Sequence, residues 1–219
     1  MSILSNCEIT CHCGEVFETE LWTAVSISEN PELKDTINSG MFNVVECPKC
    51  KHFFYHEIFF IYQDISSELI AYIYPKAYEV HANQYRKKML HEFKEIVKST
   101  KEAKNIEFEP VLFFGIEDLV ATLKNEDFLN DEIQIVNFVA KRIGLELIEI
   151  KPSKARNLCM PYLIPKIKKS LDCNIKDIVA GLEKLLSYNE NLLEYEKLLI
   201  RIKKNPSCLD EILMHTTKK

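Results

Sequence analysis

The sequence has few of the residues that mark phosphate-binding loops, flexible linkers and membrane spans. Its 219 residues include only five glycines, too few to favour a glycine-rich phosphate loop or a long flexible linker. No stretch approaches the roughly 18 apolar residues that a spanning helix needs. Residues 1–6 contain neither a basic residue nor an apolar run of the signal-peptide kind. We therefore expect a cytoplasmic protein with no membrane segment.

Local catalytic motifs are also absent from the sequence. It contains no phosphate-loop motif, no HExxH motif and no serine nucleophile in a recognisable local setting. An enzyme with dispersed catalytic residues stays open, although the sequence names no catalytic residue. The favoured expectation is therefore a non-enzymatic protein.

The formal charge of −5 gives no general case for nucleic-acid binding, and it is unevenly distributed. Residues 1–77 and 106–151 are net acidic, whereas residues 78–105 and 152–219 are net basic. This alternation favours packing between the ends of the chain or against a second subunit. A nucleic-acid-binding regulator that uses the basic helix at 78–105 or the basic C-terminal tail is the alternative.

Two short cysteine pairs are the strongest chemical signal in the sequence. Cys47 and Cys50 have the ordinary spacing of a zinc-binding turn. Cys11 and Cys13 are one residue closer together, and Gly14 makes the turn that they require easier. In a reducing compartment such pairs indicate a metal site instead of disulfides. The sequence predicts a closed, structural zinc site with these ligands: Cys11, Cys13, Cys47 and Cys50.

Other arrangements of the cysteines stay open. Cys7 or His12 can replace one of the four ligands, since Cys7 lies four residues before Cys11. Free thiols, a disulfide switch or an iron–sulfur cluster are further alternatives. The other cysteines are interpreted as small buried residues: Cys159, Cys173 and Cys208.

A two-residue period predicts strands in the first third of the chain. The run at 53–62 is apolar on both faces, so a central strand covered on both sides is expected there. Together the strands form a small antiparallel, zinc-ribbon-like sheet over residues 1–75. One short helix is expected within it, capped by Asn30 and ended by Gly40. The predicted strands cover residues 8–27, 41–45, 53–62 and 69–74.

A three-to-four-residue period begins at Tyr78 and predicts a long amphipathic helix to about Ala103. A mixed α/β segment follows, and residues 155–219 are interpreted as an all-helical extension that mediates self-association or binds a protein partner. The predicted fold class is α+β, with domains at 7–150 and 155–219. The mixed segment is expected to contain strands at 107–114 and 145–150 and helices at 116–124 and 131–143.

Several segments resemble the CpXC domain family of bacteria and archaea, which is named for cysteine–proline motifs. They are residues 9–11, 14–17, 30–33, 39–43, 47–50, 62–64, 72–75, 128–131 and 145–150. The resemblance covers about residues 7–150. The first pair lacks the family's proline and is one residue short, and Lys51 stands where the family usually has glycine. The resemblance implies metal binding through the cysteine pairs, and it implies no activity.

Overall fold

The structure of this chain is a computed structural model that describes residues 1–99, 106–167 and 174–206. These residues have an α+β fold and separate into two compact units, Met1–Lys124 and Asn125–Lys219. Each unit has its own apolar core.

The first unit contains a mixed sheet and a separate two-stranded hairpin. Its strands are β1 (Ile3–Thr10), β2 (Val16–Ser26), β3 (Val44–Glu46), β4 (Phe53–Tyr55), β5 (Phe60–Asp64), β6 (Leu69–Tyr74) and β7 (Val111–Phe114). The sheet has the order β1-β2-β5-β6-β7, and the hairpin pairs β3 with β4. The pairs β2–β5 and β6–β7 are parallel. The predicted antiparallel sheet is therefore corrected, because the connections after β2 and β6 are long crossovers instead of tight turns.

The strand predicted at 53–62 is two strands, because its halves pair with different partners. β4 pairs with β3 in the hairpin, whereas β5 lies between β2 and β6 in the sheet. Phe53 is exposed and Phe60 is fully buried, so only the second half is a central strand. No glycine or proline marks the break at 56–59, and the sequence pattern alone does not reveal it.

Helices cover both faces of the sheet. Helix α1 (Glu32–Asn38) and the first turns of α3 (Glu117–Ile143) pack on one face, where Ile73 is buried. Helix α2 (Ala82–Ser99), which follows a 3-10 helix at Lys76–His81, packs on the other face beside Tyr72 and Tyr74. Adjacent β6 residues thus enter opposite cores, as the pleat of a strand requires. The part of the predicted basic helix beyond Ser99 lies outside the described residues.

Gly40 terminates helix α1 as predicted, in a Schellman motif that follows the last helical residue, Asn38. The Met41 N–H donates to the Thr36 carbonyl at 3.0 Å, and the Gly40 N–H donates to the Ile37 carbonyl at 3.1 Å. The predicted cap by Asn30 is wrong. Its side-chain amide donates to the Glu32 carboxylate at 2.8 Å instead, and that bond lowers the pKa of Glu32.

The second unit contains a hairpin, helices and most of α3. Its further elements are β8 (Leu145–Glu149), α4 (Pro152–Asn157), β9 (Leu163–Ile167), α5 (Ile175–Tyr188) and α6 (Leu193–Lys204). The predicted all-helical extension is corrected, because β9 is a strand that pairs with β8. Pro161 and Pro165 disfavour a helix at this point, and Pro165 is tolerated in an edge strand. The helices predicted at 116–124 and 131–143 are one helix, since no glycine or proline separates them.

Helix α5 lies close to β9, and Gly181 makes the contact possible. A Cβ atom on this glycine would lie 2.6 Å from both Lys166 Cα and the Pro165 carbonyl oxygen. Both are backbone atoms of a paired strand, so they cannot swing away as the end of a flexible side chain can.

We expect Gly181→Ala to lower the free energy of unfolding by roughly 1–3 kcal/mol, the usual cost of overpacking. The loss should occur although alanine favours a helix over glycine by about 1 kcal/mol. Chemical denaturation measures the change. The matched control is Ala180→Gly, which should cost about 1 kcal/mol through helix propensity alone. A Gly181→Ala protein more stable than the wild type would contradict the close packing of α5 on β9.

The side chain of Glu132, on α3, caps the first turn of α6. Its carboxylate accepts the Glu194 N–H at 3.4 Å through Oε1 and at 3.2 Å through Oε2. The residue is nevertheless buried, and burial raises its carboxyl pKa above the usual 4.5, although the backbone N–H groups of Glu194 and Leu193 oppose the shift. The folded state therefore holds this proton more tightly than the unfolded state.

A raised carboxyl pKa gives stability that is fully present below pH 4.5 and is lost as pH rises through the folded-state value. Glu132→Gln keeps an acceptor oxygen and cannot ionise. The variant should therefore gain stability relative to the wild type as pH rises from acid to neutral. Urea unfolding at a series of pH values measures this difference. A difference that moves the opposite way would mean that the helix cap outweighs burial.

Candidate metal centre

The first cysteine turn, called the first knuckle (residues 11–15), connects β1 to β2. The Cys11 N–H donates to the Glu15 carbonyl at 2.8 Å, and the Gly14 N–H donates to the Cys11 carbonyl at 2.9 Å. Gly14 has a φ of +82°, a left-handed conformation that glycine adopts without steric cost. This tight turn brings Cys11 and Cys13 to the same side despite their short spacing.

The second knuckle (residues 47–52) connects β3 to β4 and has a similar backbone. The Cys47 N–H donates to the His52 carbonyl at 3.0 Å, and the Lys51 N–H donates to the Cys47 carbonyl at 3.0 Å. Lys51 has a φ of +60°, so its backbone is left-handed like that of Gly14 in the first knuckle. Lys51 stands where the CpXC family usually has glycine, and it adopts the left-handed conformation nevertheless.

The structure brings the four predicted cysteines together. Their sulfur atoms all lie within 4.8 Å of one another, and we call them the four-thiol group: Cys11, Cys13, Cys47 and Cys50. The close pairs join the two knuckles, with 3.6 Å between the Cys11 and Cys50 sulfurs and 3.7 Å between those of Cys13 and Cys47. A tetrahedron of thiolates about 2.3 Å from a zinc ion has sulfurs about 3.8 Å apart. The donor set therefore fits a four-coordinate metal ion.

Two thiols of this group, those of Cys47 and Cys11, have pKa values that are shifted in opposite directions. Burial raises the pKa of Cys47, but the N–H groups of Cys50 and Lys49 and the neighbouring thiols lower it to about 7. The N–H of Cys13 lowers the pKa of Cys11, but burial and the neighbouring thiols raise it to about 12. A single thiolate, that of Cys47, is therefore stabilised, whereas a second thiolate at Cys11 is destabilised. A cation among the sulfurs would remove that destabilisation.

Asn43 joins the hairpin that carries the second knuckle to the strand that follows the first. The Trp22 N–H donates to Asn43 Oδ1 at 2.9 Å, and Asn43 Nδ2 donates to the Trp22 carbonyl at 3.1 Å. The Asn43 carbonyl accepts the His56 N–H at 3.1 Å. The residue is buried and has a φ of +52°, which asparagine tolerates better than most residues. The sequence did not predict that Asn43 joins these two elements. The only indication was that Asn43 lies in the family-like segment 39–43.

Two further contacts hold the knuckles side by side. Lys49 of the second knuckle forms an ion pair with Glu15 of the first, with 3.1 Å between Nζ and Oε2. The pair raises the pKa of the Lys49 ammonium group. Beneath the knuckles, an apolar cluster contains the buried side chains of Ile9, Leu21 and Val45. The sheet and the hairpin therefore meet at a packed surface next to the four thiols.

The alternative ligands lie outside the four-thiol group. The Cys7 thiol is half-buried and donates to the Ser5 carbonyl at 3.6 Å. The His12 ring lies beside the Phe54 ring, with 5.8 Å between their centroids. Cys159 is exposed, so its interpretation as a buried residue is wrong, and Cys173 and Cys208 lie outside the described residues.

Two lysines of the basic helix that was predicted as a nucleic-acid site form ion pairs within α2. Lys88 lies 3.8 Å from the Glu92 carboxylate, and Lys98 lies 2.9 Å from that of Glu95. The C-terminal tail beyond residue 206 lies outside the described residues. Nucleic-acid binding through either segment therefore stays a prediction. Within the described ranges, no helix combines the length and the apolar composition needed to cross a membrane.

One family model matches the chain, and it is described as CpXC protein. The match covers residues 9–126, which is more than half of the chain and includes both knuckles. It confirms the predicted resemblance and ends before the family-like segments at 128–131 and 145–150. Comparison with curated proteins and with solved structures finds no match.

Proposed function

We propose, from the premise that the chain belongs to the CpXC family, that the four-thiol group binds a zinc ion as a structural clamp. The observation that supports this proposal is the convergence of four thiols within 4.8 Å. Four thiolates in a tetrahedral arrangement are a donor set that zinc favours. The chain's contribution is to hold two thiols on each knuckle and to bring the knuckles together.

A closed site of this kind serves the fold. Four thiolates fill the tetrahedron and leave no position for water or substrate, so such an ion does not act as a Lewis acid. Its binding energy instead stabilises the ordered knuckles. We therefore propose a non-enzymatic structural or interaction protein that works in the cytoplasm, where thiols stay reduced. Residues 155–219, which contain β9 as well as helices, would serve self-association or a protein partner.

Metal analysis of the 219-residue chain, purified without added metal, tests the assignment. We expect about one zinc per chain. His12→Ala should keep that content, because His12 lies outside the four-thiol group. If the protein instead contains iron and shows the visible absorption of an iron–sulfur cluster, the site is an iron–sulfur site and not a zinc site. Protein purified under reducing conditions that holds no metal and takes up none from a zinc buffer would refute the clamp.

A further inference from the structure

Helix α3 carries apolar side chains on two opposite faces within the second unit. One face enters the core through Ile133, Val136 and Ala140. The other face is open to solvent and carries large apolar residues, which we call the α3 stripe: Phe128 (45% exposed), Ile135 (44%) and Phe138 (63%). Their spacings of seven and three residues place them along one line of a helix. A helix that needed only to pack on its own core would have polar residues on this face.

Opposite charges lie along the face of α3 that carries the α3 stripe. Asp131 is exposed between Phe128 and Ile135. Arg142 lies one turn beyond Phe138, and its guanidinium carbon lies 5.6 Å from the centroid of the Phe138 ring. This cation–π contact holds the charged group over the apolar surface. The stripe is therefore acidic towards one end and basic at the other.

We propose that the α3 stripe binds a second copy of this chain, with the two α3 helices antiparallel and Ile135 at the two-fold axis. In that pairing, residue 131 of one copy faces residue 139 of the other, within one helical turn of Arg142 of the partner subunit. The symmetry forms the Asp131–Arg142 pair twice. A parallel pairing would place like charges together, which is unfavourable.

The spacing along this face also suits a helical partner. From Phe128 to Arg142 the residues of the face recur at intervals of three and four, as in helices that pack side by side. The stripe lies outside residues 155–219, so it adds a surface to the proposed interaction role. The proposed dimer does not depend on a metal ion. Measuring the zinc content of the same variants therefore distinguishes a failure of the dimer proposal from a failure of the zinc proposal.

Sedimentation equilibrium of the 219-residue chain tests the interface. We expect a wild-type dimer, and we expect Phe138→Asp to weaken it by roughly tenfold or more, as removal of a central apolar contact does. Asp131→Arg and Arg142→Asp should each weaken it, because each opposes like charges twice. The double variant Asp131→Arg/Arg142→Asp should regain the dimer. An equimolar mixture of the two single variants should form heterodimers.

Ile200→Asp on α6 is the matched control, since Ile200 has a similar exposure of 46% and lies in the extension at 155–219. It should leave the dimer unchanged, and thermal unfolding should show that every variant is folded. A monomeric wild type overturns the inference. So does dissociation by Ile200→Asp together with an intact Phe138→Asp dimer, which would move self-association to the extension. Failure of the double charge variant to regain the dimer overturns the antiparallel arrangement.

Discussion

Cys47→Ser protein is expected to retain less than about a tenth of the wild-type zinc, because a structural site that loses one of four thiolates binds metal far more weakly. Cys47 is fully buried, so solvent cannot easily replace its sulfur. Zinc that binds only the folded state adds about 4 kcal/mol of stability when its free concentration is 1,000 times the dissociation constant. The variant should lose a similar amount in a zinc buffer. Metal analysis and chemical denaturation in the same buffer measure both effects.

The control for this experiment is Cys7→Ser, since the Cys7 thiol is half-buried and lies outside the four-thiol group. It should keep its zinc and nearly all of its stability. Equal zinc loss in the two variants would show that Cys7 is a ligand. Unchanged zinc in Cys47→Ser would remove Cys47 from the site.

The instability of Cys47→Ser should be local at first. Strands β3 and β4 have three residues each, and a two-stranded hairpin of this size is marginal by itself. Strand β6 is buried along its whole length and does not depend on the knuckles for its packing. Hydrogen exchange should therefore accelerate in both knuckles and the hairpin, while amides of β6 stay protected.

The four-thiol group could be predicted because its chemistry is carried by two short segments. Cys47 and Cys50 have a spacing that is typical of metal-binding turns, and Gly14 permits the tighter turn after Cys13. The approach of the two turns follows from the β1–β2 and β3–β4 hairpins and from the contacts of Asn43. The contacts of Asn43 with Trp22, which is 21 residues away, could not be predicted from the sequence.

The topology of the sheet could not be predicted in the same way. A two-residue period is the same for parallel and antiparallel strands, so it does not report that β2 and β5 are parallel. The run 163–167 is short and interrupted by Pro165, and its pairing with β8 depends on residues about twenty positions earlier. Continuity of α3 was missed because the polar residues at 125–131 resemble a loop, although none of them breaks a helix.

Removal of the Asn43 side chain is the second change expected to have a large effect. Asn43→Gly keeps the left-handed backbone at no steric cost and deletes both bonds to Trp22. The two Trp22 backbone groups would then lose their partners in a half-buried setting, which costs about 1–3 kcal/mol for each unsatisfied group. The hairpin that carries Cys47 and Cys50 would also be held less firmly. We expect a lower free energy of unfolding and weaker zinc binding, measured by denaturation and by competition with a chelator.

Two further substitutions at this position separate its contributions. Asn43→Ala should be less stable than Asn43→Gly by roughly 1–2 kcal/mol, the cost of a left-handed conformation for a residue with a Cβ atom. Asn43→Asp has the same shape and can still accept the Trp22 N–H, but it places a carboxylate oxygen against the Trp22 carbonyl. Since that contact is repulsive, its stability should stay below the wild-type value. If Asn43→Gly matched the wild type in both stability and zinc affinity, the amide would not be what holds the second knuckle beside the first.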